Sequence, residues 1–411
     1  MKYTLLVSVK KTIGLFMMVG LSLRLCAQFT AEHLTENHTS TPVTVRFATY
    51  NASLNKNNAG DLLTDLSASD NKQAKQVAEV IQRQDPDVLA LMEFDFDENG
   101  KALAVFQSKY LEVSQNGVSP VHYPYVYVVS SNTGVLAEVD LEGDGDITLP
   151  EDAYGFGFFP GQYAFAVLSK YKILENRIRT FQKFLWKDMP DALLPVKMDG
   201  SSYYSEEALA VFRLSSKNHV DIPIQVNEDT VIHALVAHPT PTVFDGPEDR
   251  NGTRNHDEIR FFNDYVKGKD YMYDDTGSTG GLQAGAHFVI MGDMNADPFD
   301  GESTNDPIGM LEANSYINNS VLTGNKVPSS EGGTETATLQ GAANTTHEGN
   351  PAYDTGDFGD GSAGNLRVDY VVPSATLTVT DSGVFWPIRS SALAHLNTVS
   401  DHKLVWVDIT L

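Results

Sequence analysis

The stretch Phe288-Val289-Ile290-Met291-Gly292-Asp293-Met294-Asn295 decides the fold of this chain. Its first four residues are apolar, and a short apolar run bounded by glycine is typical of a strand buried on both faces. Asp293 and Asn295 follow, so the strand is predicted to end in a carboxylate and an amide. A single polar residue at such a place is usually a cap or a turn former, and it indicates a site only if others join it.

Five further segments combine an apolar run with a polar side chain of a similar kind. The apolar residues alternate or form a continuous run, and either pattern predicts a strand. These segments are residues 43–50 with Asn51, 88–92 with Glu93, 231–237 with His238, 366–372 with Asp369, and 404–411, which Asp401 and His402 precede. Sequence position therefore gathers the polar side chains at strand ends.

Helices and loops are expected between these strands. Residues 73–83 carry apolar side chains at positions i, i+3, i+4 and i+7, which predicts an amphipathic helix, and a second helical pattern starts at Asp257. Residues 270–285 and 325–365 are rich in Gly, Ser, Thr and Asp and are predicted to be surface loops. No repeat of fixed period and no second domain is evident.

Composition and charge limit the classes of function. The chain has 411 residues, 41% of them apolar and 20% charged, as expected for a folded globular protein. Its formal net charge of −25 argues against a broad basic face that holds a nucleic-acid backbone. A polyanionic substrate would need a local site, and the sequence predicts no protein partner.

The first residues indicate export. Lys2, Lys10 and Lys11 precede an apolar run at residues 12–23, which predicts a signal peptide over residues 1–27 and no transmembrane span in the mature chain. A lipid anchor on Cys26 is the alternative, although the large Leu25 before it argues against that reading. Residues 28–42 are predicted to be a spacer and residues 43–411 the folded domain. We therefore expect a secreted, periplasmic or extracellular protein without a disulfide, since Cys26 is the only cysteine.

The polar residues at the strand ends suit an oxygen-loving cation. They supply carboxylates and amides for a hard divalent ion and two histidines for proton transfer or anion stabilisation. They lack the His-rich or Cys-rich spacing of a zinc site. The sequence therefore predicts Mg²⁺ or Mn²⁺ at a catalytic site.

The ordered motifs of the chain resemble those of the endonuclease/exonuclease/phosphatase superfamily. They are Tyr50-Asn51, Leu91-Met92-Glu93, Ala237-His238-Pro239, Gly292-Asp293-Met294-Asn295-Ala296-Asp297, Arg367-Val368-Asp369-Tyr370 and Ser400-Asp401-His402. The resemblance extends over residues 43–411. It implies an α+β fold of the DNase-I-like kind, a four-layer αββα sandwich in which helices flank two packed, mainly antiparallel sheets. Two further segments, residues 159–169 and 238–252, look like a secreted bacterial branch of the superfamily.

The resemblance also implies roles for single residues. Asp293 looks like the residue that orients or deprotonates the attacking water, and Asn295 like a hydrogen-bond donor to the scissile phosphate. His402 resembles the histidine that contacts the phosphoryl group, Asp369 the carboxylate that holds its ring, and His238 a second histidine that assists leaving-group departure. Either Asp293 or His402 is the general base.

The resemblance implies three metal ligands as well. Glu93 looks like the principal carboxylate for the cation, with Asn51 beside it and Asp401 as a further ligand. A hard cation and donors such as Asn295 stabilise the charge that grows on phosphate oxygens without a covalent intermediate. Neither a G-x-S-x-G elbow nor a Walker-type glycine loop occurs in the sequence.

A basic segment follows His238. Arg250, Arg254 and Asn255 precede the helical pattern at Asp257, and such residues at a helix start would hold a substrate phosphate. The alternative is an ion-paired loop, because acidic residues surround the arginines. Residues 215–217, Ser-Ser-Lys, leave the same choice between phosphate binding and a strand-end turn.

Residues 140–151 have the ligand spacing of a calcium loop. Acidic side chains stand at positions 1, 3, 5, 7 and 12, and glycine stands at position 6; the acidic residues are Asp140, Glu142, Asp144, Asp146 and Glu151. Pro150 and the lack of flanking amphipathic helices depart from the pattern, so a solvated acidic loop is the alternative. A structural Ca²⁺ here would order the loop that leads to residues 159–163.

These observations predict a secreted, divalent-metal-dependent phosphoesterase that hydrolyses phosphate mono- or diesters by attack of an activated water. Its substrate would be a small phosphate ester or a nucleic acid, so the enzyme would be a phosphatase, a phosphodiesterase or a nuclease. The alternative is a non-catalytic, calcium-stabilised extracellular binding protein on the same scaffold. Intact catalytic motifs favour the enzyme.

Overall fold

Fourteen strands and seven α-helices make up the part of the chain that the computed structural model describes, residues 43–411. The strands are β1 (Thr44–Asn51), β2 (Val88–Met92), β3 (Tyr125–Val129), β4 (Phe165–Ser169), β5 (Lys172–Ile173), β6 (Arg179–Thr180), β7 (His219–Gln225), β8 (Val231–Ala237), β9 (His287–Asp293), β10 (Gly356–Asp357), β11 (Asn365–Leu366), β12 (Asp369–Pro373), β13 (Thr378–Val384) and β14 (Val405–Thr410). The helices are α1 (Asp61–Ser67), α2 (Lys72–Gln84), α3 (Lys101–Phe106), α4 (Glu206–Val211), α5 (Arg250–Tyr265), α6 (Pro307–Glu312) and α7 (Glu331–Gln340).

Two sheets form the centre of the fold. The first has the strand order β13-β14-β1-β2-β4-β3, and the second has the order β12-β9-β8-β7-β5, with β6 also paired to β7. Only β1 with β2 and β8 with β9 pair in parallel within these sheets, and the remaining pairs are antiparallel. Strands β10 and β11 form a separate two-stranded ribbon. Each sheet thus contains one parallel pair whose carboxyl ends lie side by side.

Side chains of successive strand residues pack on opposite faces of the sheets, which explains why each sheet lies between two apolar layers. Val88, Ala90 and Met92 of β2 join the core cluster between the two sheets, while Leu89 and Leu91 join a second cluster on the outer face. Side chains of successive strand residues point to opposite faces, so a strand with apolar residues throughout is covered on both sides.

Helices cover the two outer faces. The apolar stripe of α2, with Ala74, Val77 and Ile81 among its buried residues, packs on the first sheet. Ile259 and Phe262 of α5 belong to the cluster that contains the second sheet. Full burial of side chains of this size contributes about 1.5 to 3 kcal/mol each. The predicted four-layer αββα sandwich is confirmed.

Several elements differ from their sequence predictions. The segment 325–365 was expected to be a loop, but α7 lies within it, capped by the Ser330 hydroxyl, which accepts a hydrogen bond from the Gly333 amide. Helix α5 begins at Arg250 rather than at Asp257, because its first half buries polar side chains that apolar periodicity does not detect. The predicted strand over residues 366–372 is interrupted between β11 and β12.

Residues 43–411 belong to one compact unit by their internal contacts. Among residues 43–411, no helix combines the length and the apolar character that crossing a bilayer requires. The predicted signal peptide, the spacer and Cys26 lie outside the described residues.

Candidate active site

The polar residues of the sequence motifs lie at one edge of the two packed sheets. Asn51 ends β1 beside Met92, which ends β2, and Glu93 follows at once. In the second sheet, Asp293 ends β9 and is the direct strand partner of Asp369 at the start of β12. The two parallel pairs therefore bring Asn51, Glu93, His238 and Asp293 together at their carboxyl ends.

One oxygen of Asp293 is the centre of this group. Its Oδ2 accepts a hydrogen bond of 3.0 Å from Asn51 Nδ2 and lies 3.3 Å from His238 Nε2. His402 Nε2 lies 3.6 Å from the same oxygen. Asn51 belongs to the first sheet and Asp293 to the second, so this contact joins the two sheets at the site.

His402 lies between two carboxylates. Its Nδ1 is 2.9 Å from Asp369 Oδ2, and its Nε2 faces Asp293. Burial alone would lower the pKa of the imidazole, but the charges of Asp369 and Asp293 outweigh burial and raise the pKa of His402 to about 10. The ring is therefore an imidazolium at neutral pH. Phe358 covers it edge-on, with the ring centroids 5.1 Å apart.

Low pKa values leave Asp293 charged and His238 neutral. Burial would raise the pKa of Asp293, but His402, His238 and the Asn51 amide hold it well below its usual value. Burial, together with the positive charge of Lys217, lowers the pKa of His238 below that of a free imidazole. The site thus contains an ionised carboxylate between a charged and a neutral histidine.

The loop after β9 positions Asn295. Its backbone amide donates to Asp293 Oδ1 at 3.0 Å, and its Nδ2 donates to the carbonyl oxygen of Pro239 at 3.1 Å. Gly292, with a φ of +151°, allows close approach of β8, because a Cβ at this position would meet the Ala237 oxygen at 1.9 Å. A glycine is therefore required in β9 directly before Asp293.

Glu93 is held by two amides. Asn51 Nδ2 donates to its Oε1 at 3.1 Å, and Asn55 Nδ2 donates to its Oε2 at 2.5 Å. The Glu93 backbone has a φ of +53°, a strained conformation for this residue type that is common at functional sites. Asn55 was not predicted from the sequence, because it lies in an asparagine-rich loop without periodicity.

Asp401 lies further out. Its side chain is exposed, and its Oδ1 accepts a hydrogen bond of 3.0 Å from the Ser53 hydroxyl. Within residues 43–411, three acidic or imidazole ligand atoms lie within 4.8 Å of one another only at Asp293, Asp369 and His402. In this group His402 is protonated and paired with Asp369, so its ring offers no free lone pair, and the group is not the predicted metal set of Asn51, Glu93 and Asp401.

Arg254 and Asn255, which the sequence predicts to bind substrate, direct their polar groups to backbone carbonyls. Arg254 is buried and donates to three backbone carbonyls, those of Leu214, Tyr154 and Arg213. Asn255 Nδ2 donates to the carbonyls of Thr240 and Met294, and so joins the loop after His238 to the loop after Asp293. Both residues lie inside α5, and both are buried.

Arg250 fits the ion-paired alternative. It begins α5, and its guanidinium pairs with the Glu248 carboxylate and donates to the Phe244 carbonyl. Its side chain is only partly exposed and its charge is already matched. The structure therefore does not direct Arg250 into the group around Asp293.

The candidate calcium loop is exposed. Both carboxylate oxygens of Asp140 accept backbone hydrogen bonds inside the loop, from Gly143 and Gly145, and Asp144 accepts from the Asp146 amide. Asp152, which follows the predicted ligands, is fully buried and accepts from the backbone amides of Leu141 and Thr148. Calcium binding here stays a prediction.

The fold and this group of acidic, amide and imidazole side chains define a hydrolase of ester bonds. A sequence profile of the Endonuclease/Exonuclease/phosphatase family matches residues 48–402, and the chain belongs to this family. The family recognised from the sequence motifs is thereby confirmed, and the protein is an enzyme that hydrolyses phosphoester bonds. No curated protein sequence gives a significant match.

Solved structures similar to this one are distant in sequence. An endonuclease/exonuclease/phosphatase from Beutenbergia cavernae is 15% identical, with a TM-score of 0.46 over 90% of this chain and 72% of the other. Sphingomyelinase C from Streptomyces griseocarneus is 12% identical, with a TM-score of 0.45 over 89% of this chain and 99% of the other. A mutant of beta toxin from Staphylococcus aureus with bound magnesium ions is 13% identical, with a TM-score of 0.43 over 89% and 99%.

Proposed function

We propose that the protein is a divalent-metal-dependent phosphoesterase that hydrolyses phosphate mono- or diesters by direct attack of water. The observation that carries this proposal is the convergence of Asn51, His238 and His402 on one oxygen of Asp293, with Asp369 behind His402. No cysteine or activated serine lies in this group, so water is the nucleophile that the residues support.

The charges of these side chains suggest a catalytic role for each of them. Asp293 is ionised and accepts hydrogen bonds, so it orients the attacking water. His402 is an imidazolium and donates to a phosphoryl oxygen, while Asp369 fixes its ring. Neutral His238, next to Asp293, takes the proton that the attacking water loses and returns it to the leaving oxygen, and the Asn295 amide donates to the phosphate.

The residues around Glu93 fit a hard divalent cation. Glu93 is partly exposed, its carboxylate is oriented by two asparagine amides, and carboxylate oxygens are ligands that a hard cation prefers. Glu93 would hold Mg²⁺ or Mn²⁺, with Asn51 and Asp401 flanking it. A cation held there would neutralise charge on the phosphate oxygens.

The experiment that tests the proposal uses the full chain with Mg²⁺ or Mn²⁺, and repeats each assay after chelation by EDTA. Phosphate release from a panel of monoesters and inositol phosphates is measured beside cleavage of bis-p-nitrophenyl phosphate and plasmid DNA. A steep loss of activity with rising salt would mark a polynucleotide substrate. The panel thus separates phosphatase from diesterase and nuclease activity.

The matched variants are His402→Ala and His287→Ala. His287 begins β9, at the opposite end of the strand from Asp293, and contacts Thr376. Loss of the imidazolium at position 402 is expected to cost about 10²- to 10³-fold in rate, because an oriented donor to the developing charge is removed. Equal activity of the two variants, or equal activity with and without EDTA, would contradict the proposal.

We also propose that the protein acts outside the cytoplasm, after removal of residues 1–27. The support is the basic and apolar pattern of that segment alone. Expression of the full chain in a bacterium, followed by fractionation and N-terminal sequencing, tests the proposal. A mature protein that begins at Gln28 is the expected result, whereas a lipid-modified Cys26 that Cys26→Ser abolishes would show the anchored alternative.

A further inference from the structure

Lys217 is a buried ammonium group next to the site. It lies in the turn before β7, and its side chain is 6% exposed. Its Nζ makes one long hydrogen bond, of 3.4 Å, to the Pro239 carbonyl oxygen. Within residues 43–411, no carboxylate oxygen lies within 4.0 Å of this nitrogen. Burial of a charge with a single long hydrogen bond is costly, so an anion is expected to meet it.

The position of Lys217 relates it to the catalytic group. The Pro239 oxygen that accepts from Lys217 also accepts from Asn295 Nδ2, at 3.1 Å. The two donors are therefore no further apart than the sum of their distances to that oxygen. Pro239 directly follows His238, whose ring contacts Asp293. The ammonium thus lies near the amide proposed to bind the scissile phosphate.

Lys403 shows what a structural buried lysine looks like in the same fold. Its Nζ donates to the carbonyls of Ser400 and Asp401, at 3.0 and 3.1 Å, and lies 4.8 Å from the centroid of the Trp386 ring. Lys217 has no comparable set of acceptors among the described residues. A purely structural role therefore explains Lys403 and leaves the ammonium of Lys217 unexplained.

The acidic residues whose charges act on Lys217 do not form an ion pair with it among the described residues. The Glu258 carboxylate accepts backbone hydrogen bonds from Ser216, at 2.6 Å, and Thr240, at 2.7 Å. Burial lowers the pKa of Lys217, and the charges of Glu258, Asp293 and Glu93 oppose that effect. The charge of Lys217 in turn lowers the pKa of His238, so it is felt inside the site.

We propose that the Lys217 ammonium binds a non-bridging oxygen of the scissile phosphate beside Asn295, and that it stabilises the charge that grows there during hydrolysis. This inference rests on the phosphoester hydrolysis proposed above and assigns a further catalytic residue to it. The two free N–H groups of the ammonium and the amide of Asn295 would then donate to the same phosphate. A charged donor of this kind is stronger than a neutral one.

The test compares Lys217→Met, Lys217→Arg and the control Lys172→Met, whose lysine is exposed on β5. Lys217→Met is expected to lower kcat on bis-p-nitrophenyl phosphate about 10²-fold, since one donor to the developing charge is lost. Its thermal midpoint is expected to stay the same or rise, because the buried charge is removed. Lys217→Arg keeps the charge and is expected to recover part of the activity.

A second measurement does not depend on turnover. Inorganic phosphate is expected to raise the thermal midpoint of the wild type and of Lys172→Met, and to leave that of Lys217→Met unchanged. Folded Lys217→Met with kcat within about threefold of the wild type would overturn the inference. Equal protection of both proteins by phosphate would overturn it as well, even if Lys217→Met folded poorly.

The two proposals fail in different ways. Hydrolysis is refuted if the wild type cleaves no phosphoester of the panel, and phosphate protection then still decides whether Lys217 binds an anion. If the wild type is active and Lys217→Met is equally active, only the assignment of Lys217 fails.

Discussion

Replacing Asp369 by Asn tests how the site controls the charge of His402. Asp369 contacts His402 Nδ1 at 2.9 Å, and its carboxylate is the first of the neighbours that raise the pKa of the ring to about 10. The variant keeps the size and one hydrogen bond of the side chain and removes its charge. We expect the pKa of His402 to fall toward the ordinary value of 6.5.

The magnitude follows from the two pKa values. At pH 8, an imidazole with a pKa of about 10 is about 99% protonated, whereas one with a pKa of 6.5 is about 3% protonated. Loss of the imidazolium therefore lowers kcat at pH 8 by about 30-fold; the remaining charge of Asp293 reduces this loss, and burial of the ring increases it. At pH 6 most of the variant's rings are protonated, and most of the activity is expected to return.

The assay is kcat on bis-p-nitrophenyl phosphate between pH 6 and 9 at saturating Mg²⁺, beside an NMR titration of the His402 ring. Asp229→Asn serves as the control, because Asp229 is exposed in the turn between β7 and β8, where its amide donates to the Asn227 side chain. A loss of equal size at pH 6 and pH 8 would refute the reasoning. So would a ring that stays protonated at pH 8 in the variant.

Three further predictions concern stability. Burial raises the pKa of Asp354 to about 8, so the folded state keeps a proton that the unfolded state releases near pH 4. The free energy of unfolding therefore falls as the pH rises between these two values. Asp354→Asn should raise the thermal midpoint at pH 8 and leave it unchanged at pH 3. Gly292→Ala should lower the free energy of unfolding in urea by about 3 kcal/mol, because the added Cβ would collide with the Ala237 carbonyl oxygen. The control is Gly143→Ala, which should cost about 1 kcal/mol, because Gly143 has a positive φ but no atom near the added Cβ. Arg254→Met should lower the free energy of unfolding by about 3 kcal/mol, since three buried carbonyls lose their donor, while the kcat of the folded fraction stays within about threefold.

The strands and the site motifs could be predicted because they combine two strong local signals. An apolar run identified β2 and β8 with the bounds that the structure has, and the polar residue directly after each run fell at the site. The apolar pattern of a strand and the polar residue at its end involve only a few adjacent residues, so both can be recognised without knowledge of the fold.

Long-range burial of polar groups could not be predicted in the same way. Arg254 looked like a phosphate ligand because its partners, the carbonyls of Leu214 and Tyr154, are distant in sequence. Helix α7 was missed because its glycines suggest a loop, yet a Cβ on Gly332 would meet the Trp386 oxygen at 2.0 Å. That glycine permits a close contact and does not mark a turn.

The site depends on both sheets at once. Asn51 comes from the first sheet and donates to Asp293 in the second, and the Met92 side chain lies beneath Gly292, 3.3 Å from where a Cβ would stand. Burying Asp293, Asp369 and His402 costs free energy, and burial of the apolar core between the sheets offsets that cost. Burial in turn strengthens the interactions among these charges and sets their protonation states. Docking of the sheets is therefore the step that creates the acid–base properties of the site, and not only the step that gathers its residues.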